Sequence, residues 1–158
     1  MNALSQLQQQ VIGRLTAIDP AVPSLVAAVG AISWITEDVG DLANIVARAV
    51  ANIGIVGIVV TPGGEDRCKL FSAGVFPISF VCPIIIQIQE NVTVNRGTGT
   101  NIPALDLVQF VMRRLHMWSP THQRAVNQIN LDETPYSLVQ EAPILTYNVR
   151  FNAKITIQ

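Results

Sequence analysis

The sequence predicts an α+β fold: a single domain in which a mostly antiparallel sheet of long strands packs against helices on one face. Two stretches carry that prediction. From Phe76 every even position up to Ile88 is apolar, and Val92 and Val94 return to the pattern after Glu90, while Ser79, Gln87 and Gln89 occupy odd positions. From Leu145 to Ile157 the odd positions are apolar and the even ones polar, unbroken over 13 residues. A period of two gives a strand one dry face and one wet face. A third observation supplies the cover, because the segments before and between these strands carry apolar residues at helical spacing.

Taken in order, residues 2–17 place Leu4, Leu7, Val11, Ile12 and Leu15 on one helical stripe, and residues 1–20 read as an N-terminal amphipathic helix with its exit. "DPAVPS" ends it, since proline fixes φ and lacks a donor. The apolar run Leu25–Ile35 fits a strand or a buried helix, with an extended or mixed segment preferred. "TEDVGDLANIVARAVANI" predicts a helix capped by Thr36 or Asp38, with Val39, Leu42, Ile45, Val46, Ala49 and Val50 inward. Gly54–Thr61 is a β-branched run ended by Pro62-Gly63-Gly64, hence a buried strand and a turn. "GGEDR" reads as a loop tip, and "CKLF" as the start of a hairpin partner turning at "SAG".

Pro77 and Pro83 cannot donate to a ladder, so the long strand that contains them is expected at an edge or bulged nearby. "IPALDLVQFVMRRLHMW" predicts a helix with Pro103 in its first turn, Thr100 or Asn101 as cap, and Ser119-Pro120 beyond its end. Residues 121–143 are polar and irregular, suited to a functional loop or a small hairpin. No internal repeat, low-complexity tract or linker divides the 158 residues, and 1–158 read as one domain.

Charged residues make up only 13 % of the chain, about half the usual share of roughly 25 %. Subunit interfaces are depleted in Lys, Glu and Asp, so the composition points to an oligomer or a part of a larger assembly. A membrane is the other way to hide apolar surface, given a mean hydropathy of +0.38. The longest apolar stretch, Leu25–Ile35, is half of the ~20 residues that a spanning helix needs. No basic stretch precedes an apolar one at the start, so neither a signal peptide nor a membrane partner is expected and the chain reads as soluble. A net charge of −1 argues against binding dominated by phosphate contacts. Arg113, Arg114, His116 and Arg124 lie close together, and Glu37, Asp38 and Asp41 form an acidic group. Both suit helix termini, cations at the C-terminal end and acids at the N-terminal one.

The local motifs of catalysis are missing. "RGTGTNIPAL" lacks the lysine and the spacing of a phosphate-binding loop, and Ile102 stands where a dinucleotide fingerprint needs its third glycine. No GxSxG elbow occurs, and the two histidines, His116 and His122, do not make a metal site with Cys68 and Cys82. The cysteines read as buried free thiols, and Trp34 and Trp118 as core residues or interface anchors. No enzyme, cofactor or metal is expected.

The block "IIIQIQENVTVNRGTGTNIPALDLVQFVMRRLH" joins a long strand ending in Glu-Asn to an Asn-Arg and glycine loop and then to a helix, and an alternating strand closes the chain. This order resembles the small tail-terminator or tail-completion proteins of tailed bacteriophages and related contractile tail machines, over residues 37–158. The resemblance implies a structural virion protein, assembled in the host cytoplasm, that forms a ring of six copies on the end of the tail tube. Such a ring stops tube polymerisation and offers a surface to the neck or head. The implied partners are further copies of itself, the tail tube protein and a neck or head-completion protein, with DNA only passing through. Under this reading Asn95, Arg96, Gly97, Thr98 and Gly99 project to touch a neighbouring subunit or tube ring. Arg113, Arg114 and Arg124 are candidates to face the lumen. The alternative is a monomeric adaptor, or another neck or baseplate component, that binds a partner along an exposed sheet edge.

Overall fold

Two long antiparallel strands, β4 (Ile78–Asn91) and β6 (Ile144–Ile157), pair along their whole length and form the spine of the protein. Their alternating patterns meet in phase. Ile84 faces Phe151, Ile86 faces Val149 and Ile88 faces Tyr147, so the dry face of each strand lies on the same side of the sheet. In the computed structural model, residues 3–17, 33–36, 41–60, 69–73, 78–97, 102–120 and 126–157 are described. The remaining elements are α1 (Ala3–Thr16), β1 (Ser33–Thr36), α2 (Leu42–Asn52), β2 (Ile55–Val60), β3 (Lys69–Ala73), α3 (Val92–Gly97), α4 (Ala104–Leu115) and β5 (Val126–Glu141). The sheet runs β1-β2-β4-β6-β5, with β3 also paired to β4, and only β1 and β2 are parallel. The class is the α+β one that the alternation predicts.

The dry face is covered by α1 and α4. Leu7, Val11 and Leu15 from α1 meet Leu107, Val108, Val111 and Leu115 from α4 over Ile84, Ile86, Ile88, Val149 and Phe151 in one buried cluster. Each helix presents an apolar stripe at three- and four-residue spacing, and the sheet supplies the opposing surface. The opposite face of β4 and β6 is half-buried and mixed, with Val81, Pro83 and Ile85 paired to Lys154, Asn152 and Arg150, and Gln87 Nε2 donating to Asn148 Oδ1 at 3.0 Å. Only at β2 does that face also become dry. Val56 and Ile58 alternate away from the main cluster yet are buried, and α2 packs on β2 there.

Several elements differ from expectation. β4 is an interior strand and not an edge, while the other expectation, a bulge near the prolines, is met where the register of β3 shifts between Leu70 and Ser72, opposite Phe80 and Ser79. The partners of β4 on one side change along its length, with β3 facing residues 78–81 and β2 facing residues 85–90. Pro83 falls between those two stretches, so on that side of β4 it stands opposite no paired residue, while on the other it faces Asn152 of β6. The strand stops at Asn91, and Val92 and Val94 continue into α3. Thr36 ends β1 and does not cap α2, whose cap position is Asp41. Residues 126–141, expected to be irregular, form β5, joined to β6 through Ala142 and Pro143. The alternation of β5 is hidden by register shifts between Val126 and Ile129 and between Leu131 and Tyr136. Ile129 and Leu131 face Ala153 and Phe151, whereas Tyr136 and Leu138 face Val149 and Tyr147. Core-side positions therefore change from odd to even within one strand, which no fixed period detects.

Cys82 is buried and disulfide-bonded, which corrects the free-thiol expectation; the other cysteine, Cys68, lies outside the described residues. Their sequence neighbours Val81 and Lys69 are paired across β3 and β4, a proximity that the sequence spacing does not reveal. Most of Leu25–Ile35, the Pro62–Gly64 turn, the loop tip "GGEDR" and the cap candidates Thr100 and Asn101 also lie outside the described residues.

Gly57 admits the ring of Trp34. The two residues are paired across β1 and β2, and a side-chain carbon on Gly57 would collide with Trp34 Cε3 and Cζ3. Gly57→Ala is expected to displace the indole and cost about 1–3 kcal/mol, the usual penalty of overpacking a core. Urea denaturation measures it, and a midpoint equal to that of the unmodified chain would mean that the indole does not sit on Gly57.

Candidate functional site

Glu90 continues the even, inward-facing positions of β4, so the pattern delivers a carboxylate to the interior, where it is wholly buried. A buried charge persists only where donors replace its water. Here the next 14 residues supply them. Asn95 Nδ2 donates to Glu90 Oε1 at 2.8 Å, and Arg96 Nε approaches the same oxygen at 3.3 Å. The backbone N–H of Ala104 donates to Glu90 Oε2 at 3.1 Å. Ala104 opens α4, where Pro103 occupies the cap position without a side-chain bond. Glu90 thus serves as a cap delivered from the neighbouring strand, with its charge against the positive end of the helix.

The described residues between Glu90 and Ala104, 91–97 and 102–103, gather around that carboxylate. Asn91 Oδ1 accepts from Val94 N–H at 3.2 Å and begins α3. Asn95 Nδ2 also donates to the carbonyl of Ile102 at 2.7 Å, closing the loop onto the start of α4. Gly54 makes room for it. Its φ of 88° follows α2 as a left-handed helix terminus, and a Cβ there would strike the backbone N and Cα of Asn95.

The other ends of the helices are joined as well. Arg14 Nε, in the last turn of α1, donates to the carbonyl of Arg114 at 3.1 Å; Arg114 Nε and Nη2, in the last turn of α4, donate to the carbonyl of Arg14 at 3.3 and 3.0 Å. Each cation satisfies the other helix's C-terminal carbonyl. The Arg14 guanidinium also lies 5.6 Å from the ring centroid of Trp118. Past α4, Met117 takes a φ of 60°, and its N–H donates to the carbonyl of Ile129 at 2.8 Å. His116 Nδ1 accepts from the N–H of Leu131 at 3.1 Å. This segment therefore lines the first part of β5, and His116 is engaged in holding it.

These contacts sort the candidate interface residues. Asn95 is buried inside the chain and does not project. Arg96 keeps 49 % of its side chain exposed and Gly97 is exposed beside it, whereas Thr98 and Gly99 lie outside the described residues. Of the basic residues, Arg114 is only 7 % exposed, with its guanidinium taken up in the helix clasp. Arg113 is exposed at the end of α4, and Arg124 lies outside the described residues. Trp34 is a core residue, and Trp118 packs against the core under Arg14. Sequence reasoning passed over Glu90 as a site residue; its signal was a charge on the dry side of an otherwise apolar alternation. Among the described residues no cluster of His, Cys, Asp and Glu could hold a metal ion, and no helix is long and apolar enough to cross a membrane.

No known protein family matches this chain, and no curated protein matches its sequence. Its fold does have counterparts among solved structures. One is a chain described as "Virion of native gene transfer agent (GTA) particle", similar with a TM-score of 0.64 and 17 % sequence identity. The match covers 99 % of this chain and 100 % of that one, so the whole architecture is shared.

Removing Glu90 and removing Arg96 should have unequal effects. Glu90→Ala leaves the Ala104 N–H without its acceptor and takes one of the hydrogen bonds of the buried Asn95 amide, at about 1–3 kcal/mol for a buried group left unsatisfied. Arg96→Ala breaks a half-exposed ion pair worth about 0–1 kcal/mol. Urea titrations of both variants check the order, and an Arg96 variant less stable than the Glu90 one would refute the anchoring role of the carboxylate.

Proposed function

We propose that this chain is a structural protein of a phage-like virion that forms a ring, six-membered as the family resemblance implies, on the end of the tail tube. There it ends tube polymerisation and presents a joining surface to a neck or head-completion protein. The observation that carries the reading is the shared fold with a chain of a gene transfer agent virion along the full length of both. The low charge content supports it, because a ring subunit has two lateral faces and axial contacts to bury. The near-neutral balance suits a pore that DNA crosses without being held. The protein works without turnover or cofactor, and its place is the virion tail, assembled in the host cytoplasm.

Within this reading Arg96 and Gly97, with Thr98 and Gly99, form the contact to the neighbouring subunit or tube ring, and the Glu90 anchor holds that contact in place. Arg96 has half of its side chain available to meet a carboxylate or carbonyl across the contact. Arg113, exposed at the end of α4, is the described residue of the basic group left to face the lumen.

Native mass spectrometry and light scattering across concentration test the ring directly. A closed ring of six 17.1 kDa copies has a mass of roughly 100 kDa. Arg96→Ala is expected to weaken assembly while the circular dichroism stays that of the unmodified chain. A monomer at every concentration argues for the adaptor reading, and normal rings from the Arg96 variant remove that residue from the interface.

A further inference from the structure

One short ladder joins β3 to the sheet. Its five residues, Lys69–Ala73, pair with β4, and the register shifts even within that span. Among the described residues β3 pairs with no other strand. The ladder stops at Lys69 opposite Val81, and the next residue of β4 is Cys82. Cys82 continues the inward, even positions of β4, is wholly buried in the main cluster and faces Ala153 of β6. It is also disulfide-bonded. The chain has one other cysteine, Cys68, which directly precedes Lys69 in sequence. Within a single chain the bond to Cys82 therefore comes from Cys68, and it adds a covalent rung to the end of the β3–β4 ladder.

A protein assembled in a host cytoplasm meets two redox environments. Thiols stay reduced in the cytoplasm, whereas disulfides form and persist on particles outside it. We propose that Cys68 and Cys82 are a redox latch, open as two thiols while the virion assembles and closed as a disulfide after release, when it fixes β3 to β4. This inference rests on the virion reading, which supplies the passage from one environment to the other. Closure needs an oxidant of the glutathione-disulfide class. The Cys68 thiolate attacks it first, because Cys82 has no exposed surface, and a mixed disulfide forms with loss of one glutathione thiol. The Cys82 thiolate then displaces the second glutathione thiol and completes the bond. Two cysteine protons and two electrons leave the protein, and the oxidant is reduced to two thiols. With the latch open, β3 is held by its short ladder and opens locally. With it closed, the segment between the two cysteines loses much of its freedom in the unfolded chain.

The test produces the full chain in a reducing cytoplasm and caps its thiols with iodoacetamide at lysis, under denaturing conditions. Intact mass should show both cysteines capped. The same chain, purified and then treated with oxidised glutathione, should accept no cap until it is reduced. Closure should raise the thermal midpoint by about 5–10 °C and slow amide exchange across Lys69–Ala73. Cys68→Ser, which leaves the buried Cys82 in place, should fold and lose both responses to the oxidant. A bond already complete at lysis overturns the latch, since it was never open during assembly. Thiols that stay free after oxidation overturn it too, as do oxidised and reduced chains with one midpoint and one exchange rate. A disulfide that links two chains overturns the pairing of Cys68 with Cys82 in one chain. Native mass is recorded on the same two samples, so a failure of the ring reading shows in the mass and a failure of the latch in the capping and exchange.

Discussion

A carboxylate without water organises the end of this sheet. Taking an ion such as the Glu90 side chain out of solvent costs several kcal/mol, and three donors from the following residues have to converge on it. That requirement determines where the chain goes after β4. Asn91 begins α3 so that Asn95 can turn its amide inward, Arg96 follows with half of its length outside, and Ala104 starts α4 with its N–H on the second carboxylate oxygen. The loop is a short helix wound around a charge. An exposed arginine is thereby placed by buried contacts, which lowers the entropy that any partner of Arg96 must pay to find it.

The far ends of the helices obey the same rule with the charges reversed. The carbonyls that close α1 and α4 have no partners within their own helices, and each receives the guanidinium of the other. Because Arg14 and Arg114 are 100 residues apart in sequence, this clasp closes a large part of the chain. Between the two polar ends lies the apolar seam of α1, α4, β4 and β6. Helix α4 is therefore held in register on the sheet at both termini, by an anion at its start and a cation exchange at its finish.

The exterior is economical in a way that suits an assembly. On the wet face of β4 and β6 the amides of Gln87, Gln89 and Asn148 hydrogen-bond one another, beside Arg150 and Lys154. Acids stand on either side of the uncharged stretch 136–140 of β5. Such a surface has little that holds a passing polyanion and much that can be buried against another protein. The architecture shared with a gene transfer agent virion chain, at an identity of only 17 %, shows that the fold is reached by a largely different sequence.

Local alternation told which faces of β4, β6, α1 and α4 would be dry, because periodicity within a segment is a property of the segment itself. The class of fold followed from it, as did the helix that starts near Pro103. What tertiary structure decided was partnership. Pro83 sits in an interior strand, at the gap where two different strands share one side of β4, and that gap is set by β2 and β3 and not by β4 itself. β5 read as irregular because its bulge switches the inward parity, and only the opposing residues of β6 restore the meaning of Tyr136 and Leu138. Glu90 and Arg114 looked like a strand end and a solvated helix end until the distant groups that receive them were in place. Alternation is written in neighbouring residues; the partners of a buried charge or a strand edge are chosen by chain segments brought together across long loops, and that choice becomes physical only when the sheet closes.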